Sequence, residues 1–317
     1  MRKTINKVGL SGRIYEHKLV EKVSGENSKN PGTPFIAGTL DIATDDDCLN
    51  IVQVHFTYVT EVTKKGSKNA TYAALKKIID NNKTVLTCGK DEAMMVKVDT
   101  SLDLNDFYSN RNGEETLVSA KRCEGGFVTI VNSLPDESDR NRFEMDMLIN
   151  GTRVVEADPE KNIEKDYLVV KGAVFNFRND IKPVEFIVKN EGGIKYFESL
   201  DATPQNLTFT KVWGFINSET IVRKVEEESA FGEPAVKEYT RNVREWVITG
   251  TSRPDAVYEI GDAENGITED DIKKAMSDRE IHLAEVKKNQ EEWQANKAGT
   301  ATTNVASAPA AAGGFTF

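Results

Sequence analysis

The side chains best suited to metal binding or nucleophilic chemistry are few and scattered: His17, His55 and His282, and Cys48, Cys88 and Cys123, with no Cys-x-x-Cys and no His-Glu-x-x-His. Zinc sites need ligands at short, regular spacing, so no metal and no cofactor is expected. The phosphate loop G-x-x-x-x-G-K-[ST] and the nucleophile elbow G-x-S-x-G are also absent, which argues against an enzyme. Asp45, Asp46 and Asp47 read as a turn rich in its preferred residue rather than as metal carboxylates. Another chemistry is better represented. Arg13 and Tyr15, Trp213 and Phe215, and Arg244 and Trp246 stand two residues apart in strand-like sequence, and Lys171 and Phe175 four apart, so each pair shares a face. Aromatic rings that stack bases, beside cations that track phosphates, are what a sequence-tolerant binder of single-stranded nucleic acid needs. His55 and the loop lysines Lys64, Lys65 and Lys68 add to this candidate set. Trp213, Phe215 and Trp246 fit equally well as core beneath helices. On the binding reading, Trp213→Ala or Trp246→Ala weakens DNA binding and spares stability.

The elements that must position these residues are strands. Lys7 to Val23, KVGLSGRIYEHKLVEKV, returns as Lys211 to Val225, KVWGFINSETIVRKV, with Gly12 set on Gly214, and a shorter echo surrounds Gly172. Leu10 and Ile14 flank Gly12 on one face, as Val212 and Ile216 flank Gly214. A glycine inside a strand marks a bulge, a tight barrel bend or the close approach of another backbone. Ile51 to Val59 alternates, with Val52, Val54, Phe56 and Tyr58 on the apolar face. Asn69 to Asp80 reads as a short helix, Thr84 to Thr87 and Met94 to Val98 as strands, and Ile194 to Leu200 as a helical turn or two. Three strands, a helix and further strands is the order of an OB barrel. With turn signals every ten or so residues, the fold class is mainly β, all-β or α+β: two OB-like barrels, a C-terminal helix and a flexible tail. The expected boundaries are 1–134 and 143–260 for the barrels, 267–295 for the helix and 298–317 for the tail. Thr268, three before Asp271, opens that helix. Its apolar stripe, Ile272, Met276, Leu283, Val286 and Trp293, is broken by Arg279 and Gln290.

The net charge of −10 does not by itself exclude a nucleic-acid partner, because it is unevenly spread. Residues 1–100 hold 15 Lys and Arg against 12 Asp and Glu, and the rest hold 26 against 39. No apolar run is long enough to span a membrane and the N-terminus lacks a signal-peptide core, so a cytoplasmic protein without membrane contact is expected. The odd number of widely spaced cysteines fits reduced thiols.

The phrases LNDFY, EGGFV, VVKGAVFNF, KVWGFI, VREWVITG and SDREIHLAEVKK resemble those of single-stranded DNA-binding proteins of bacteriophages of Gram-positive hosts, which are similar to tandem OB-fold proteins. The resemblance covers most of residues 5–290. It implies a non-catalytic protein that coats single-stranded DNA in phage replication or recombination, in the host cytoplasm. Cellular single-strand binders end in an acidic, Phe-tipped tail that recruits partners. Here Phe315 and Phe317 supply the tip as candidate contacts to replication or recombination proteins, but no acidic residue follows Glu292. The alternative is a structural or assembly protein of a virion, and a nuclease or recombination enzyme is a weaker third.

Overall fold

The computed structural model describes residues 2–111, 114–158, 163, 165–227, 235–253, 258–261 and 266–302, with backbone alone for 111, 220–227, 235–242 and 296–302. The first barrel uses β1 (Asn6–His17), β3 (Pro34–Ala43), β4 (Ile51–Thr60), β5 (Met95–Arg111) and β6 (Glu114–Val131), with a short β2 (Val20–Val23) beside β3. Its strands run β1-β3-β4-β6-β5 and close back on β1. Every contact is antiparallel except that of β4 with β6. The second barrel repeats this arrangement. Here β7 (Asn141–Val155), β8 (Tyr167–Phe175), β9 (Ile181–Val188), β11 (Ala235–Thr251) and β10 (Thr208–Glu227) close in that order, again with a single parallel contact, β9 with β11. Both are the OB order, in which the fifth strand inserts between the third and the fourth.

Each barrel also has its helix where that order requires it. α1 (Ala70–Asn81) follows the third strand of the first barrel, starting from Asn69, whose side chain caps Thr71 N. It buries Leu75 and Ile78 in the core. α3 (Glu191–Ser199), capped by Asn190, does the same in the second barrel through Phe197. Thr84 to Cys88 departs from the expected strand: α2 (Val85–Cys88) is one helical turn, because Thr84 and Thr87 form a reciprocal capping box.

The barrels are joined edge to edge through their first strands. β1 and β7 pair antiparallel from Asn6↔Met145 to Leu10↔Asn141. Adding 135 to a β1 residue number gives its two-fold counterpart in β7, so Val8 corresponds to Phe143 and Asn6 to Asn141. Asn6 Nδ2 donates across the junction to Phe175 O at 3.1 Å and within its own barrel to Leu102 O at 2.9 Å, and Asn141 Nδ2 matches the second of these bonds by donating to Ile216 O of its own barrel at 2.7 Å. Val8, Leu10, Phe143 and Met145 lie in one hydrophobic cluster that runs through both barrels.

The repeated glycine motif proves to mark bends rather than equivalent strands. Gly12 lies on the first strand of its barrel and Gly214 on the fourth of the other, while Gly172 lies on a second strand. All three are closely approached by backbone: a Cβ would stand 2.0 Å from Ala43 O at Gly12, 1.8 Å from Val247 O at Gly214 and 2.3 Å from Leu148 O at Gly172. β1 pairs with β5 before Arg13 and swings onto β3 after it, through a register shift between Ile14 and Glu16. Tyr58 departs from the expected apolar face. A register shift between Ile36 and Gly38 turns it outward, 46% exposed, against Phe35 with ring centroids 4.5 Å apart.

The last helix, α4 (Glu269–Thr302), begins as expected, with Asp271 N on Thr268 Oγ1 at 3.1 Å and Thr268 N on Asp271 Oδ2 at 3.1 Å. Arg279 and Gln290 turn out to be its main contacts with the first barrel. Arg279 holds Asp106 through two bonds of 3.0 and 2.8 Å, and Gln290 Oε1 accepts from Tyr108 N at 2.9 Å. Burial favours the neutral acid at Asp106, but the Arg279 and Ser119 hydrogen bonds outweigh it and hold the carboxyl below its ordinary range.

Gly12→Ala is expected to cost about 1–3 kcal/mol or more by forcing the β1–β3 backbones apart. Gly9→Ala, whose Cβ would meet nothing closer than Arg142 O at 3.9 Å, should stay within about 0.5 kcal/mol. Chemical denaturation of the two variants checks both.

Candidate nucleic-acid interface

The fourth and fifth strands of each barrel run on beyond it as a two-stranded ribbon, and each ribbon reaches the other barrel. The β10–β11 ribbon meets the first barrel at Asn50, whose Oδ1 accepts from Ser218 N at 2.8 Å and whose Nδ2 donates to Ile216 O at 3.1 Å. The β5–β6 ribbon meets the second barrel through Lys182 and Asp103, 2.7 Å apart, and through Lys121, which donates to Glu185 O. This reciprocal crossing creates a trough along the barrel junction, in three connected hollows.

In the first hollow Tyr15, Asp41 and Gln53, on the outer face of the first barrel, confront Ser218, Glu219 and Arg244 of the second barrel's ribbon. The middle hollow shares Gln53, Ser218 and Arg244 with it and adds His55, Lys121, Arg122 and one edge of Trp246. The third shares Lys121 and adds Ser119, Asn150, Lys171 and Glu185. The ends are two-fold counterparts, since Asn150 stands 135 residues after Tyr15. Lys121 and Arg244 are counterparts too: each stands on its barrel's fifth strand two residues before an inward side chain, Cys123 in one case and Trp246 in the other, both buried.

Burial above all, with Arg122 adding to it, lowers the His55 pKa below the ordinary imidazole value. Lys121 lies half-buried with its ammonium 5.6 Å from the Phe186 ring centroid. Burial pushes its pKa down to about 8, against the pull of Glu185. Asp41 is raised, chiefly by burial. Arg244 is exposed and makes no hydrogen bond or ion pair with the described residues. The trough therefore has cations of three kinds: one free, one with a lowered pKa, and Arg122 and Lys171, paired with Glu124 at 2.9 Å and Glu185 at 3.8 Å. Among the described residues no cluster of His, Cys, Asp and Glu could hold a metal ion.

The structure thus brings together Tyr15, His55, Lys171, Arg244 and the edge of Trp246. Two expected contacts are corrected. Phe175 is fully buried, because the start of α4 covers the outer side of β8 and packs Ile272 and Ala275 into a cluster with it. Trp246 is only 6% exposed and belongs to the core, against Phe143 and Phe186 at 5.4 and 5.8 Å. Its partner Ile216 lies on the inward face of β10. Trp213 and Phe215 lie on the opposite face of β10. There Trp213, 40% exposed, and Phe127, 75% exposed, flank a separate hollow that also holds Lys7, Arg142, Asp99, Asp139 and Glu144. Arg13 is engaged with Lys90 O at 2.9 Å and Asp46 at 3.5 Å, away from the trough. Lys64, Lys65 and Lys68 are exposed in the loop before α1. Phe315 and Phe317 lie outside the described residues.

Sequence reasoning missed Lys121, Arg122 and the Phe35–Tyr58 pair. A visible signal was the Lys-Arg dipeptide directly before Glu124 and the Gly125-Gly126 bend. Trp246→Ala is now expected to cost about 3–5 kcal/mol as a cavity mutation, whereas Arg244→Ala should stay within about 0.5 kcal/mol. Thermal unfolding of the pair separates core from surface.

Comparison with known proteins adds the following. No curated protein matches the chain in sequence. A crystal structure of a deletion mutant of the single-stranded DNA binding protein from Thermus aquaticus superposes with a TM-score of 0.43 at 12% identity, covering 80% of this chain and 96% of that one. A family model described as YorF matches residues 4–289, which takes in both barrels and the greater part of α4, and the chain is therefore a member of the YorF family.

Proposed function

We propose that the protein binds single-stranded DNA without reading its sequence, and that it does so as a non-catalytic coat in phage DNA replication or recombination, in the host cytoplasm. The observation that carries this reading is the trough. It runs over the outer faces of the second and third strands of both barrels and is flanked by their strand-four-to-five ribbons, the surfaces on which OB barrels take oligonucleotides. Lys121, Arg122, Lys171 and Arg244 line it with cations that can track phosphates. Tyr15 in the trough and the partly exposed Phe35–Tyr58 pair on β3 and β4 of the first barrel offer rings to bases. The phage setting rests on the resemblance of its phrases to phage single-strand binders. Recruitment of replication or recombination proteins through Phe315 and Phe317 belongs to the same reading.

Four phosphate contacts imply a slope of log K against log salt of about −3, or a roughly fiftyfold loss of affinity for labelled oligo-dT between 50 and 200 mM salt. Arg244→Ala should flatten that slope by about 0.7. Fluorescence anisotropy with oligo-dT and duplex probes checks this: no binding to oligo-dT at low salt, or equal binding to duplex, defeats the proposal. Trp213→Ala, measured alongside, reports whether the strand also reaches the separate hollow between Trp213 and Phe127.

A further inference from the structure

We infer that Lys121 is the residue that makes one continuous path out of two barrels, contacting the phosphate that passes from the first to the second. The inference rests on the single-strand reading above and goes beyond it. Lys121 is the residue shared by the middle and third hollows. Its strand belongs to the first barrel, while its ammonium lies over Phe186 and on the Glu185 carbonyl of the second. Its two-fold counterpart Arg244 joins the first hollow to the middle one. A strand lying along the trough passes Arg244 and then Lys121 to reach Lys171. The ammonium makes one hydrogen bond among the described residues, which leaves donors for a phosphate oxygen.

The neighbourhood also decides how this contact responds to pH. Glu185 on β9, Lys171 on β8, Arg244 on β11, His55 on β4 and Arg122 on its own strand are the charged or titratable groups that line the two hollows with Lys121. The lowered pKa of Lys121 falls between pH 7 and 9, whereas that of His55 is pushed below the ordinary imidazole value. A phosphate contact made by the ammonium is present at pH 7 and is lost as pH rises through the lowered pKa of that amine. A guanidinium in its place stays charged throughout.

The test uses the full chain and labelled oligo-dT of about 8 and about 30 nucleotides, the shorter fitting one barrel and the longer spanning both. For wild type, affinity for the long probe should fall severalfold from pH 7 to 9, with the short probe changing less than about twofold. At pH 7, Lys121→Met should weaken the long probe about tenfold, spare the short one, and abolish the pH dependence. Lys121→Arg should bind the long probe at pH 9 as wild type does at pH 7, and this variant serves even if Lys121→Met fails to fold. Equal losses at both lengths in Lys121→Met, or a pH response in Lys121→Arg matching wild type, overturn the inference while leaving the single-strand reading in place. Wild-type protein that binds neither length removes both.

Discussion

The antiparallel pairing of β1 with β7 is the constraint on which the rest of the molecule depends. A five-stranded barrel satisfies its own backbone by closing, yet here each first strand divides its length. Its early residues pair with the other barrel and its later ones with its own second strand. That division demands a bend in mid-strand, and there the first and second strands approach too closely for a side chain on one of them, at Gly12 of β1 in the first barrel and at Gly172 of β8 in the second. The pairing also fixes the two-fold relation between the barrels. That relation aims each strand-four-to-five ribbon at the other barrel and so creates the trough.

Much of the fold was legible in local pattern. Alternation gave the strands, Asn69 and Thr268 gave the helix starts, and the order of elements gave the barrel type. What could not be read was the true internal repeat. Asn6-Lys7-Val8-Gly9-Leu10 and Asn141-Arg142-Phe143-Glu144-Met145 are structural equivalents, but their likeness is only of polarity. The eye-catching match between Lys7–Val23 and Lys211–Val225 reflects a shared mechanical task, turning a strand past a neighbouring carbonyl. A sequence motif can thus recur because a geometry recurs, in positions that are not homologous within the fold.

The site was legible only in part, for a related reason. A period of two tells which residues share a face but not what covers that face. Lys171 and Phe175 share a strand side, yet α4 buries the phenylalanine while the lysine emerges past the edge of the helix. Arg244 and Trp246 likewise share a side, but the strand leaves the barrel between them, so one enters the trough and the other the core. Tyr58 was misplaced because a single register shift inverts the alternation. Arg279 and Gln290, which interrupt an apolar stripe, hold α4 to the first barrel, since their partners there are a buried carboxylate and backbone groups rather than a hydrophobic surface.

The covalent link between the paired first strands has a consequence for assembly. Two separate chains joined along such a seam would part on dilution, with a midpoint set by their dissociation constant. Within one polypeptide the second strand is held at an effective concentration on the order of millimolar, so a trough built from both barrels is available to a lone molecule at any abundance. The linkage also frees each barrel from mirroring its partner. Tyr15 can face Asn150, and Lys121 can face Arg244, across a symmetry that no longer requires identical residues, giving the trough a distinguishable beginning and end.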